Sequence, residues 1–97
     1  MITNSAIKPK FPLGRVLATP GALAALADSS QLPREFLRRH ALGDWGELSD
    51  ADTEANEEGL VHDDRLLSSY RTRLGVRIWI ITEADRSSTT LLLPEEY

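Results

Sequence analysis

The chain has 97 residues, enough for one domain with a thin core. Its 41% hydrophobic and 27% charged shares are those of an ordinary folded domain and exclude a disordered chain. With 15 acids against 11 Lys and Arg it is acidic, and the absence of cysteine excludes a disulfide framework, a thiolate zinc site and thiol catalysis. The lack of thiols also fits a reducing compartment. The start, MITNSAIKPK, has no apolar stretch of the signal-peptide kind, and no apolar run reaches membrane-spanning length. A cytoplasmic protein without a membrane contact is therefore expected.

Residues 1–10 are polar and read as a flexible N-terminal arm, leaving 11–97 as the domain. Phe11-Pro12-Leu13-Gly14 leads into a first strand, Arg15-Val16-Leu17-Ala18. Thr19-Pro20 is a helix start, since threonine caps well and proline at the first helical position loses only an N–H without a partner. That helix is predicted over 20–28. A second begins near Pro33, with Leu32, Phe36, Leu37 and His40 at helical spacing and Arg34, Glu35, Arg38 and Arg39 on the other side. Glu35 and Arg39 are spaced as an i, i+4 pair. His40 reads as a half-buried helix residue, and Gly43 as the C-terminal stop. In the following loop, Trp45 is expected to anchor into the core. Ser49 caps a third helix, with Asp52 three residues on in a variant of the capping box. Its apolar face, Ala51, Ala55 and Leu60, is small, which places it at the edge of the core; Gly59 is expected to weaken or end it.

A strand over 66–72 follows, then a turn at Arg73-Leu74-Gly75, where glycine can take positive φ. Residues 76–82 are β-branched and aromatic, which suits a pleated surface, and both alternating sets are apolar, which suits a central strand. The expected register sets Tyr70 against Arg77, Ser68 against Trp79 and Leu66 against Ile81. After the polar break 83–87, Thr89-Thr90-Leu91-Leu92-Leu93 is a last strand, ended by Pro94. The order β-α-α-α-β-β-β predicts an α+β fold: a small antiparallel sheet with helices packed on one face.

Charge is the strongest functional signal. Nine of the 15 acids lie between positions 44 and 64: Asp44, Glu47, Asp50, Asp52, Glu54, Glu57, Glu58, Asp63 and Asp64. No Lys or Arg lies among them, so the other six acids share the rest of the chain with all 11 bases. Such a run serves helix dipoles and solubility, or it forms a face for a basic partner. A polyanionic face is unsuited to direct nucleic-acid binding. Of these, Asp44, Glu47, Asp50, Asp52, Glu54, Glu57 and Glu58 are the candidate partner-binding residues.

Two smaller constellations stand beside it. His62, Asp64, Glu83, Asp85 and Arg86 could converge as a polar cluster, either salt-bridged with Arg65 or acting on a cation or a proton. One histidine with scattered acids is too generic for a dedicated metal site, so no metal and no cofactor is expected. Arg71, Arg73 and Arg77, with Lys8, Lys10 and Arg15 nearby and Tyr70 for stacking, form a possible phosphate patch; alternatively they are strand-edge charges that block aggregation. Ser68, Ser69, Ser87 and Ser88 have no adjacent motif of a nucleophile, and no catalytic residue is assigned. Trp45 and Trp79 read as core.

Ile80-Ile81-Thr82-Glu83-Ala84-Asp85-Arg86-Ser87 followed by Leu91-Leu92-Leu93-Pro94 resembles a family of short proteobacterial proteins often encoded on plasmids or integrative elements. Asp44-Trp45-Gly46 and Phe11-Pro12-Leu13-Gly14-Arg15 resemble it too, so the likeness covers nearly the whole chain. The family has no established activity. The resemblance implies an accessory protein of a mobile genetic element and supplies no catalytic residues; the acidic run adds a protein as partner. A narrower version is an acidic inhibitor of a nucleic-acid-handling or defence enzyme of the host. In element order alone the chain also resembles the RelE/ParE toxins, which implies an RNA-acting enzyme; those toxins are usually basic and this chain is acidic.

Overall fold

The computed structural model describes residues 8–97. Its elements are β1 (Arg15–Ala18), α1 (Pro20–Asp28), α2 (Pro33–Ala41), α3 (Asp50–His62), β2 (Leu66–Arg71), β3 (Arg77–Thr82), β4 (Ser88–Leu92) and a 3-10 turn at Pro94–Glu96. The sheet runs β1-β4-β3-β2. The last three strands form the expected antiparallel meander with β3 inside it. The sheet is mixed rather than wholly antiparallel, because β1 lies parallel to β4. The fold is a small α+β domain. The arm expected at 1–10 falls mostly on residues outside those described; Lys10 is tied down, its N–H donating to Ala41 O at 2.8 Å.

The register of β2 on β3 differs by one residue from expectation. Tyr70 pairs with Ile78, Ser68 with Ile80 and Leu66 with Thr82. The cause is the turn. Thr72 N–H donates to Val76 O and Gly75 N–H to Thr72 O, both at 2.9 Å, with Gly75 at φ 84°. That is a three-residue loop with a left-handed glycine, and its extra residue shifts the pairing. A one-residue shift exchanges faces. Leu66, Ser68, Tyr70, Ile78, Ile80, Thr82, Thr89 and Leu91 therefore share the helix-covered face, while Arg77, Trp79 and Ile81 share the other.

Ala22, Ala25 and Leu26 of α1 and Phe36 of α2 pack on Tyr70, Ile78, Ile80 and Leu91 to make the main core. Thr19 caps α1 as expected, its Oγ1 accepting from Ala22 N–H at 3.2 Å. Leu32 lies outside α2 and is exposed. Phe11, Trp45 and Leu66 form a second cluster, with Leu60 of α3 against it. Ser49 caps α3 through Asp52 N–H. Gly59 does not stop α3; it is buried where a Cβ would press on Leu66 at 3.0 Å, and the helix ends at Asp63 in the left-handed conformation. On the opposite face the C-terminus folds back, and Tyr97 packs edge-on against a half-buried Trp79 with ring centroids 5.9 Å apart.

The outer edge of β2 is covered. Ser69 N–H donates to Trp45 O at 3.0 Å, and Ser69 O accepts from Glu47 N–H at 2.7 Å. Asn56 of α3 does the same for Leu67: its Nδ2 donates to Leu67 O at 2.6 Å and its Oδ1 accepts from Leu67 N–H at 3.0 Å. The carboxamide stands where the peptide group of a fifth strand would stand.

Candidate functional site: the outer face of the third helix

The acidic run divides into anchored and outward-facing groups. Asp44 belongs to a structural knot. Arg39 Nε donates to Asp44 Oδ2 at 2.7 Å, and the Arg39 guanidinium lies over the Tyr70 ring, 4.5 Å from its centroid. Tyr70 OH donates to the Asp44 backbone carbonyl. The Arg39 hydrogen bond holds the Asp44 carboxyl below its usual pKa, and burial pushes the Tyr70 phenol up. The Glu35–Arg39 pair is accordingly not made; Glu35 accepts from Gln31 instead, at 2.8 Å. Glu47 receives Arg71 Nε at 3.1 Å and Arg77 Nη1 at 2.9 Å. Glu57 accepts from Trp45 Nε1–H at 2.7 Å, which fixes the indole that anchors the loop.

The remaining acids of α3 have no such tie. Asp50, Asp52, Glu54 and Glu58 are exposed and join no salt bridge among the described residues. Asn56 and Gly59 are buried against β2, so Asp50, Glu54 and Glu58 project from the far side, while Asp52, one turn before Asn56, lies at the exposed start of the same stripe. Asp50 and Asp52 in the first turn complement the helix dipole. Glu54 and Glu58, one turn apart, add repulsion and no dipole benefit.

The polar cluster is assembled only in part. Arg65 Nη2 meets Glu83 at 3.2 Å, and Arg65 Nη1 donates to Tyr97 OH at 2.8 Å. Arg86 donates to the backbone oxygens of Asp64 (2.7 Å) and Gly59 (2.9 Å), closing the C-terminal end of α3 onto the β3–β4 turn. Asp85 accepts from Ser87 N–H at 2.9 Å within its own turn. His62 is exposed. No group of three or more His, Asp or Glu among the described residues is arranged to hold a metal ion.

The arginines do not form one patch. Arg71 and Arg77 share Glu47, while Arg73 turns to Ser29 O (3.4 Å) and gives its N–H to Gln31 Oε1 (2.8 Å). Tyr70 is buried and cannot stack on a base.

One feature was not anticipated. His40 is fully buried, not half-buried, and sits in a chain of hydroxyls. Ser68 Oγ meets its Nδ1, and Thr82 Oγ1 meets its Nε2 at 2.8 Å. Thr82 and Thr89 hydroxyls are 2.7 Å apart, and Thr89 Oγ1 donates to Leu13 O at 2.7 Å. The Thr89 proton is committed to that carbonyl, so Thr82 donates to Thr89 and accepts from Nε2–H. Nδ1 then accepts from Ser68. A neutral imidazole in one tautomer satisfies every member. Burial, with Arg86 adding a smaller repulsion, pushes the His40 pKa down to about 4. Ser68, Thr82 and Thr89 are also fully buried, so the chain is a core network closed to substrate. Its signal in the sequence was a hydroxyl at an inward position on each of three strands.

Comparison of the chain with family models, curated proteins and solved structures finds no match. No helix among the described residues is long and apolar enough to cross a membrane.

Proposed function

We propose that the protein is a non-enzymatic binding protein whose α3 docks its outer face on a basic surface of a protein partner. The observation that carries this reading is the group Asp50, Asp52, Glu54 and Glu58, exposed on one helix without a counter-ion among the described residues. Exposed like charges cost the fold a little and contribute nothing to packing, whereas they steer and orient a cationic partner. The resemblance to mobile-element proteins supports an accessory role beside other products of such an element. The toxin-like reading gains less support. It needs an accessible acid–base group beside free cations, whereas His40 is enclosed and Arg71 and Arg77 are held by Glu47.

The test is capture of partners from host lysate, then binding of the purified partner to wild type and to a Glu54→Lys/Glu58→Lys variant. Glu57 is left alone because it holds Trp45. The variant should melt with wild type and lose the partner, and wild-type binding should weaken as salt rises from ~0.15 to ~0.5 M, where screening shortens. Unchanged affinity in the folded variant would refute the reading. Competition between the protein and duplex DNA for the same partner would narrow it to a stand-in for nucleic acid.

A further inference from the structure

The free edge of β1 has an unusual property. Arg15 N–H donates to Ser87 O at 2.9 Å and Thr19 N–H to Leu91 O at 3.0 Å, so Arg15, Leu17 and Thr19 turn their backbone groups toward β4. The period of two turns those of Val16 and Ala18 outward. No backbone group among the described residues bonds to them. Val16 and Leu17 are 45% and 41% exposed, so the side chains do not shield the edge. A bare, apolar strand edge is a template for another strand.

We propose that β1 pairs antiparallel with β1 of a second copy, about a two-fold axis at Leu17, joining two four-stranded sheets into one. The edge is self-complementary in this register. Val16 faces the partner's Ala18 and Ala18 faces the partner's Val16, so every outward N–H and C=O of the strand is bonded. An axis at Val16 or at Ala18 would bond only one of the two residues within the strand, and an axis between residues would oppose outward groups to inward ones.

Charge selects the same arrangement. The register sets Arg15 opposite the partner's Thr19. Thr19 Oγ1 donates to Glu96 Oε1, and Glu96 also accepts from the N–H groups of Gly21 (3.1 Å) and Leu93 (2.8 Å). A fixed carboxylate thus stands at one end of β1. At the other end stands Arg15, exposed and in no salt bridge among the described residues. The two-fold brings each Arg15 toward the partner's Glu96, one pair on either side of the Leu17 contact. An unrelated strand would find the backbone bonds but not both ion pairs. The α3 faces lie beside the distant β2 edges, so the pairing leaves them open.

Sedimentation velocity of the full chain over a roughly hundredfold concentration range tests this, because a reversible dimer is governed by mass action. The expected result is a concentration-dependent dimer of twice the 10.8 kDa chain mass. Val16→Pro removes an outward N–H and no bond inside the sheet, so it should abolish the dimer while circular dichroism and melting are kept. If that variant fails to fold, Leu17→Lys, which sets two ammonium groups face to face at the axis, replaces it. Arg15→Gln should weaken the dimer by roughly three- to tenfold, and should have no further effect in a Glu96→Gln background, where the Thr19 and Leu93 bonds to Oε1 are kept and the charge is not. A monomer at every concentration, a dimer that survives the edge variant, or Arg15 and Glu96 effects that merely add would each overturn the proposal.

Discussion

The two edges of the sheet are finished in opposite ways. β2 has six residues, and both Leu67 and Ser69 are bonded on the outer side, one by a side-chain amide and one by a loop. β1 has four residues and nothing bonded outside it among the described residues. Closure of the β2 edge needs a buried Asn56, and that requirement explains α3. The helix has a small apolar face and is held to the sheet by the Asn56 pair and by Gly59 lying close on Leu66. Its outer side therefore has no part in packing and is free to carry charge. At the β1 edge no such element exists among the described residues, and there the edge is limited by its shortness.

Changes placed at the centre, across and at each edge should separate these roles. Ile80 lies inside β3 and belongs to neither edge, so Ile80→Ala should cost the most, roughly 2–4 kcal/mol from lost burial and the cavity left behind. A denaturation midpoint near wild type would remove Ile80 from the core.

The His40 chain crosses the sheet from Ser68 on β2 to Leu13 beside β1, and acid should break it. The pKa of His40 is about 4 in the fold, against about 6.5 in the unfolded chain. At pH 7 both states are neutral and the shift has no effect. As pH falls through about 6.5 the unfolded chain gains a proton that the folded one does not, and stability drops by roughly 3 kcal/mol before levelling off below about pH 4. In folded protein the His40 ring signals should stay those of the neutral Nε2–H tautomer down to about pH 5. Titration near pH 6.5 would show that the ring is open to water.

Asn56→Ala should cost roughly 1–3 kcal/mol, because it strands the N–H and C=O of Leu67. Hydrogen exchange at Leu67 should rise more than at Ile80; equal protection would mean that the carboxamide does not close the edge. Val16→Ala, at the open edge, should cost under about 1 kcal/mol, since much of that side chain is already in water. A loss as large as that of Asn56→Ala, measured at concentrations where the chain is monomeric, would show the β1 edge to be covered by the chain itself.

Much of the fold was legible because its signals are local. Thr19-Pro20 and Ser49 mark helix starts in the sequence, and the β-branched run at 76–82 marks a central strand. Three features were not legible. Pairing of β1 with β4 joins segments some seventy residues apart, and no local pattern announces it. The one-residue register difference came from the turn at Gly75, whose left-handed conformation adds a residue to the loop. The acidic run was legible as charge but not as geometry. Asp44, Glu47 and Glu57 look like their neighbours in sequence, and only folding reveals that each is held by an arginine or a tryptophan.

The amide of Asn56 also limits how far such molecules can grow. A sheet bare on both sides can add copies endlessly, each newcomer offering the next a landing place, which is how cross-β fibres extend. Here one side is already sealed by the chain itself. Any strand that joins at β1 meets a molecule whose opposite edge is closed at Leu67 and Ser69 and leaves only Arg71, at the strand end, without a backbone partner among the described residues. On the β1 pairing proposed above, assembly would stop at its first step, with a single carboxamide and a three-residue loop segment separating a finite particle from a filament.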